Sequence, residues 1–427
     1  MNTTSSMAWP LDRIRRQFPG LQRTLNGQTV AIFDGPAGSQ VPQSVADAVS
    51  NYLLHTNCNR GAAFATAVES DAVVENAHRV LADFVDADDP HCVIFGANMT
   101  SLTLHLSYSL ATLWQPGDEV IVTQLDHDAN VTPWVLAAES AGAIVHRVRL
   151  HPEDWSLDLQ HYQSLLNPRT RLVALGYASN ATGTVNPVRE MTAQAQQVGA
   201  LVYIDAVHYA PHGRISVRDL GCDFLACSPY KFFGPHAGVL WGRGDLLEQL
   251  TPRKLRPSPN SLPGRWMTGT QSHEAIAGSA AAVEYLAGLS DLLPPETAGE
   301  TENLSRSQKL NRVFTQIQDY ERTLTRELVS GLGRVPGIQL YGITDPDQLH
   351  RRVPTVSWTF ADCSTRQVAE WLAERGIHVW NGNHYALPFT ETAGLEPGGT
   401  VRAGALHYNT PAEVQRLVTA LQEFRAG

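Results

Sequence analysis

Short apolar runs alternate with amphipathic segments through the first part of the chain, and each kind of run predicts one kind of element. The apolar runs predict strands at residues 30–33, 93–95, 119–123, 144–148, 172–175, 201–204, 224–227 and 239–241. The amphipathic segments predict helices at residues 43–54, 67–85, 100–113, 130–140, 191–198 and 274–289. Continuous apolar strands separated by helices are typical of a mostly parallel sheet covered on both faces. The pattern therefore predicts an α/β fold.

The pattern changes after this region. Residues 292–302 form a polar stretch that contains prolines, and a long helical segment follows at residues 304–332. A smaller α+β pattern then has elements at residues 338–341, 353–359, 367–375, 377–379, 400–403 and 412–424. We therefore expect an N-terminal arm (residues 1–30), a large domain (31–292), and a long helix with a smaller C-terminal domain (293–427). The smaller domain is expected to close over a functional cleft in the large domain.

Composition and charge narrow the class of protein. The chain has 427 residues, of which 43% are hydrophobic and 17% charged, with a formal net charge of −10. This acidic balance favours neither nucleic acid nor an anionic membrane as a partner. No apolar run reaches the roughly 18 residues of a membrane span, and residues 1–10 lack the apolar core of a signal peptide. We expect a cytoplasmic protein.

The five cysteines form neither a CxxC pair nor a spacing typical of metal ligands, so no metal is expected. Cys92, Cys222 and Cys227 lie in or beside apolar strands and are predicted to be reduced core residues. Cys58 lies in a more polar segment, and both a packing role and a chemical role stay open for it.

One lysine and one aspartate follow two of the predicted strands. Lys231 comes shortly after strand 224–227, and Asp205 directly after strand 201–204. Because parallel strands present their carboxyl ends at one edge of a sheet, both side chains are expected there. A poorly solvated lysine suits Schiff-base chemistry, and pyridoxal phosphate needs such an amine plus a carboxylate for its ring nitrogen. Taken singly, Lys231 also fits a surface loop and Asp205 a helix N-cap.

Further segments accompany this pair in a consistent order. They are IFDGPAGSQVP at 32–42, QLDHDAN at 124–130, SNATGT at 179–184, Gly269-Thr270, and TVRAG at 400–404. With them, the chain from about residue 18 to 424 resembles the class V aminotransferases, which are fold type I pyridoxal phosphate enzymes, and in particular their cysteine desulfurase-like branch. The resemblance implies a large domain with a mostly parallel seven-stranded sheet between helices, and a smaller C-terminal α+β domain.

The resemblance also implies the cofactor, pyridoxal 5'-phosphate, and roles for individual residues. Lys231, His127 and Asp205 would be catalytic. The implied cofactor contacts are Asn98, Met99, Thr100, His127, Asn180, Asp205, His208, Ser228, Tyr230, Lys231, Gly269 and Thr270. The last two would reach the phosphate of a neighbouring subunit, which implies a homodimer with shared active sites. The implied substrate contacts are Ala37, Arg60, Asn180, Trp380, Tyr385 and Arg402, with Arg402 holding the carboxylate of a small amino-acid substrate.

Two positions depart from the family pattern. Tyr385 stands where desulfurases carry the cysteine that receives sulfur as a persulfide, and Trp380 stands where a second substrate-binding arginine is expected. A tyrosine hydroxyl cannot form a persulfide. The sequence therefore favours a C–S lyase that works by β-elimination, or an altered desulfurase, acting on a cysteine-like amino acid. A class V aminotransferase or an amino-acid epimerase remains the alternative.

Overall fold

A computed structural model describes residues 9–295 and 304–426 of the chain. Its strands are β1 Thr24–Leu25, β2 Gln28–Thr29, β3 Ala31–Ile32, β4 Val93–Gly96, β5 Glu119–Thr123, β6 Ile144–Val148, β7 Thr170–Gly176, β8 Leu201–Asp205, β9 Phe224–Cys227, β10 Gly238–Gly242, β11 Ile338–Tyr341, β12 Thr355–Phe360, β13 Ile377–His378, β14 Trp380–Gly382 and β15 Thr400–Gly404. Its α-helices are α1 Leu11–Arg15, α2 Gln43–Asn51, α3 Ala65–Val85, α4 Met99–Ala111, α5 Thr132–Ala141, α6 Leu159–Leu165, α7 Val188–Gln197, α8 Val217–Leu220, α9 Gly244–Gln249, α10 His273–Gly288, α11 Arg306–Leu332, α12 Thr365–Glu374, α13 Leu387–Thr392 and α14 Pro411–Ala426. A π-helical turn continues α2 over Tyr52–Thr56. Short 3-10 turns occupy Pro19–Gln22, Pro90–Cys92, Asp128–Asn130, Pro229–Lys231, Leu289–Leu292 and Pro346–Arg351.

The larger sheet has seven strands in the order β4-β10-β9-β8-β7-β5-β6. The strands from β6 across to β9 run parallel to their neighbours, whereas β10 is antiparallel to both β4 and β9. The central strands are apolar and buried on both faces, as a sheet between two helical layers requires. The prediction of a mostly parallel α/β sheet is confirmed.

Each face of this sheet is covered by its own apolar layer. On one face, residues of α3, α7, α10 and the first half of α11 pack together. On the other face, residues of α4, α5 and α9 pack with the alternate side chains of the same strands, around the fully buried Trp134. Because apolar layers cover both faces of the sheet, the ends of its strands are the places where polar side chains can collect.

The smaller sheet has four antiparallel strands in the order β11-β12-β15-β14. The second half of α11 packs on it together with α12 and α14. Strand β14 was not predicted, because it is short and has the sequence Trp-Asn-Gly, which carries no apolar alternation. The short helices α6, α9 and α13 were missed for the same reason of length.

Strand β3 does not join the larger sheet. It pairs in parallel with β13, and Asp34 just after it forms a bridge to Gly404 at the end of β15. Ala31 and Phe33 pack in the core of the smaller sheet. The domain boundaries expected at residues 31 and 293 stay predictions, and these contacts favour placing residues 31–34 with the C-terminal unit.

Parts of two predictions fall on residues 1–8 and 296–303, which lie outside the described residues. They concern the start of the N-terminal arm and most of the polar stretch before the long helix. Among the described helices, none combines the length and the apolar character needed to cross a membrane.

Candidate active site

Lys231 lies just beyond the carboxyl end of β9, in the 3-10 turn Pro229–Lys231. Its ammonium group donates hydrogen bonds to the carbonyl oxygens of Pro36 and, at 3.1 Å, Ala37. Burial lowers the pKa of Lys231 to about 7, and the positive charge of Arg402 adds to the shift. Near neutral pH a large share of this amine is therefore uncharged and nucleophilic.

Asp205 ends the neighbouring strand β8, where it pairs in register with Ala226 on β9. Its Oδ1 accepts a hydrogen bond from the amide of Val207 at 2.9 Å. Burial raises the pKa of Asp205 to about 6, and the nearby Lys231 opposes the shift. A buried carboxylate of this kind is stabilised by a cationic N–H partner, which a protonated pyridine nitrogen provides.

His127 lies at the start of the 3-10 turn that follows β5. Its Nδ1 accepts a hydrogen bond from the amide of Ala129 at 3.0 Å. Burial lowers the pKa of His127 to about 4, with Lys231 and Arg402 as further causes, so the ring is neutral. The ring of Tyr385 stacks on it, with 5.5 Å between ring centroids and 13° between planes.

Asn180 and Arg402 connect the larger sheet to the smaller one. The Arg402 guanidinium donates to the carbonyl oxygen of Asn180 at 2.9 Å, and the Asn180 amide donates to the carbonyl oxygen of His384 at 2.8 Å. Arg402 is buried, and burial lowers its pKa to about 10. The Asn180 Oδ1 is buried without a hydrogen-bond partner among the described residues, so it is free to accept one from a ligand.

Met99 and Thr100 open helix α4 beside this group, and they line one pocket with Lys231, Asp205 and His127. The start of a helix offers unpaired N–H donors and a partial positive charge to an anion such as a phosphate. The Asn98 side chain is used otherwise, because it caps the helix by accepting from the amide of Ser101. A contact between Asn98 and a phosphate would therefore be made by the backbone of Asn98 and not by its side chain.

Three further predicted cofactor contacts, Tyr230, His208 and Ser228, lie in or next to the same pocket. The ammonium group of Lys231 lies 5.0 Å from the ring centroid of Tyr230. The His208 ring, 3.0 Å from the Thr355 hydroxyl, also lines the pocket. The Ser228 hydroxyl is buried and has no partner among the described residues. Unpartnered polar atoms around an amine and a carboxylate fit a bound pyridoxal phosphate, with acceptors and donors ready for its polar groups.

The structure leaves some predicted contacts outside this group. Arg60 pairs with Asp71 in a partly exposed ion pair, at 2.7 Å. Thr270 lines a different cavity, together with Gly96, His236 and Arg253, and Gly269 precedes it with a positive φ of 71°. The roles of Arg60, Gly269 and Thr270 stay predictions.

Two carboxylates near Lys231 or Asp205 were missed by sequence reasoning. Asp126 is buried, lines the same pocket as Asp205, and accepts from Thr123, Asn130 and the Gly176 amide. Burial raises its pKa to about 7, and the charge of Asp205 adds to that shift. Asp34 lies close to both Arg402 and Lys231. Both aspartates lie inside segments that carried the family resemblance, and that position was the available signal.

Comparisons with known proteins identify the class. Among solved structures, the cysteine desulfurase CsdA of Escherichia coli superposes with a TM-score of 0.82 at 27% identity, covering 97% of this chain and 98% of its own. The cysteine desulfurase of Thermococcus onnurineus shares the fold, with a TM-score of 0.86 at 24% identity over 99% of each chain. This fold and the buried lysine site define a pyridoxal phosphate-dependent enzyme of fold type I.

The family follows from sequence comparison. The model of the class-V aminotransferases matches residues 31–292 and 307–417. A cysteine desulfurase of Pectobacterium carotovorum is 32% identical, and the alignment covers 97% of this chain and 98% of that protein. The chain belongs to the class-V aminotransferase family, and it is an enzyme of the cysteine desulfurase-like kind.

The lowered pKa of Lys231 has a kinetic consequence. We expect the cofactor-free protein to capture pyridoxal phosphate with a rate that rises about tenfold per pH unit below about pH 7 and then levels off, because only the uncharged amine attacks an aldehyde. Stopped-flow absorbance at the cofactor band, from pH 5 to 10, measures this rate. A midpoint near the usual lysine value of about 10.4 would contradict the buried, uncharged amine.

Proposed function

We propose that the enzyme acts on the α-amino group of a cysteine-like amino acid and breaks its C–S bond by β-elimination. One observation carries the proposal: the side chain stacked on His127 at the mouth of the site is the phenol of Tyr385, not a thiol. Its ring is 73% exposed and thus open to an incoming substrate. A phenol cannot take sulfur as a persulfide, so sulfur is expected to leave as sulfide.

The backbone around Tyr385 supports a fixed wall rather than a swinging sulfur carrier. His384 and Tyr385 are consecutive non-glycine residues with positive φ of 57° and 55°, a conformation that surrounding contacts must hold. The carbonyl oxygen of Tyr385 accepts from the amide of Asp128 at 2.7 Å, and that of His384 accepts from Asn180. Contacts from both sides of the turn restrict its movement.

Each residue of the site has a separate role in the proposed reaction. Arg402 binds the substrate carboxylate by a charge-assisted pair, which orients the α-carbon toward Lys231. The Lys231 amine removes the α-proton as a general base, and Asp205 keeps the cofactor's ring nitrogen protonated. Bound pyridoxal phosphate supplies an electron sink for the carbanion. Cysteine then loses sulfide and becomes 2-aminoacrylate, which water converts to pyruvate and ammonia.

We also propose that the active form is a homodimer. Thr270 and Arg253 line an open cavity on the outer side of the α4 start, at a place where a second copy could deliver or receive contacts. Leu53, Leu54 and Phe64 expose large apolar side chains on the segments next to α2 and α3. Leu53 and Leu54 line one surface groove with Val41, Val45 and Val49, and contiguous apolar side chains at a surface are typical of association surfaces.

Transamination is the second candidate. A protein of Gibberella zeae that is described as aminotransferase-like is 33% identical over 98% of this chain and 99% of its own. The desulfurase relatives are 30–32% identical, so the sequence distances are similar and do not favour one chemistry. In transamination Lys231 would also remove the α-proton, the bound cofactor would supply the acceptor for the amino group, and a 2-oxo acid would leave in place of sulfide.

The products decide between these reactions. We expect the purified enzyme to convert cysteine, or an S-substituted cysteine, into equal amounts of pyruvate and sulfide or thiol, without a 2-oxo acid co-substrate. Sulfide, pyruvate, alanine and the two enantiomers of the substrate are measured together in one time course. Alanine with a protein-bound persulfide would contradict the proposal and restore a desulfurase. A requirement for a 2-oxo acid would indicate transamination, and racemised substrate an epimerase.

A further inference from the structure

Two side chains of different character, Trp380 and Asp34, converge beside Arg402. Trp380 on β14 is its direct cross-strand partner on β15. Asp34 follows β3 and forms a parallel bridge with Gly404, two residues beyond Arg402 on the same strand. Because alternate residues of a strand point to the same face, this register brings Asp34 and Trp380 to the same face as the Arg402 guanidinium.

Asp34 forms no direct ion pair among the described residues, although Arg402 and Lys231 lie near enough to lower its pKa. Its Oδ1 is buried and accepts no hydrogen bond, and the Nε of Arg402 is likewise without a partner. Burial raises the pKa of Asp34 to about 6, against the opposing effects of Arg402, the Trp380 indole and Lys231. The carboxyl group is therefore mostly ionised at neutral pH and available to a ligand.

Arg402 and Asp34 place one positive and one negative charge at this corner. Arg402 supplies one positive charge, and a bound α-carboxylate consumes it. The negative charge of Asp34 then has no remaining counterpart beside Arg402, while Trp380, half exposed at 52%, offers a flat apolar surface and a single N–H donor. A second carboxylate on the substrate would meet repulsion there, whereas an amide, hydroxyl or ammonium group would find an acceptor.

We propose that Asp34 is a specificity-determining residue that selects cysteine-like amino acids with a neutral or cationic side-chain terminus and rejects those with a second carboxylate. Trp380 completes the selection by providing an apolar wall in place of a cation. This inference rests on the proposed function, because it assumes that Arg402 holds the α-carboxylate of an amino acid.

The test uses two ligands of nearly equal shape. S-carbamoylmethyl-cysteine ends in a neutral amide, and S-carboxymethyl-cysteine ends in a carboxylate. Their dissociation constants for the holoenzyme are measured by titration of the cofactor absorption band, together with kcat/KM from product release. We expect the natural enzyme to bind the amide about tenfold to a hundredfold more tightly.

Two variants separate the charge of Asp34 from its packing. Asp34→Asn keeps the shape and should bring the two dissociation constants to within about threefold of each other. Trp380→Arg places a cation beside Asp34 on a half-exposed position and should shift the ratio by about tenfold toward the carboxylate ligand. The second variant keeps the test decisive if Asp34→Asn fails to fold.

The outcomes are distinct. Equal binding of both ligands by the natural enzyme, or a ratio that neither variant moves, overturns the role of Asp34 but leaves the proposed function intact. If neither these ligands nor cysteine perturbs the cofactor band, an amino-acid substrate is excluded, and the proposed function falls together with this inference.

Discussion

Lys231→Ala is expected to hold no cofactor covalently and to turn over substrate at least about 10²–10⁴-fold more slowly. The reason is that, in the proposed mechanism, the buried amine both attaches the aldehyde and accepts the α-proton. Borohydride reduction followed by peptide mapping measures the attachment. In the natural enzyme the reduced cofactor should be found on the peptide that contains Lys231, and in the variant it should be absent.

The chain offers unusually clean controls for this experiment, because its only other lysines are Lys254 and Lys309. Lys254 donates to the carbonyl oxygen of Ser258, and Lys309 pairs with Asp291 on the surface. Lys254→Ala and Lys309→Ala should keep both the covalent cofactor and the turnover. Reduced cofactor on either of these lysines in the Lys231→Ala protein would refute the assignment.

Asp205→Asn is expected to lower kcat by about 10²–10³-fold with little change in KM. Asparagine has the same shape and can still accept from the Val207 amide, but it carries no charge to hold a proton on the pyridine nitrogen. The cofactor should therefore bind but stabilise the carbanion poorly. Steady-state kinetics, with the deuterium isotope effect on α-proton removal, measures the loss at the chemical step.

Asp223 provides a matched control, since it is also a buried aspartate next to the larger sheet but lies at the amino end of β9. It accepts from the Val202 amide and pairs with Arg243 at 2.8 Å. Asp223→Asn should lower the free energy of unfolding by about 1–3 kcal/mol and leave kcat unchanged. If both variants lost kcat equally, the loss would reflect general destabilisation, and Asp205 would have no special role.

Much of the larger sheet was predictable because the amino-acid composition of its strands distinguishes them from the neighbouring segments. The runs at 119–123, 144–148 and 224–227 became strands with those bounds. Strands β5 and β9 are fully buried and therefore mostly apolar. The short run at residues 30–33 was predicted as a strand, but its partner was not, because the pairing with β13 joins positions far apart in the chain. Local pattern carries no information about such long-range partners.

The residues of the site likewise fall into those that the local sequence identifies and those that only the folded structure brings to the site. Lys231 and Asp205 were identifiable because both lie at or shortly beyond the end of an apolar strand, and strand ends are where polar groups collect. Asp34 and Asp126 became visible only when folding placed them beside Lys231 and Asp205. The Asn98 cap and the positive φ of His384 and Tyr385 depend on backbone geometry that residue type does not specify.

The carbonyl oxygens of Pro36 and Ala37 that hold Lys231 belong to a segment whose neighbours are β13 and β15, near the far end of the polypeptide. During synthesis, the amine would emerge from the ribosome long before the residues that brace its acceptors. We therefore expect Lys231 to bind pyridoxal phosphate in its final geometry only after β13 and β15 have been synthesised. A nascent chain released before then should lack the absorption band of the bound cofactor.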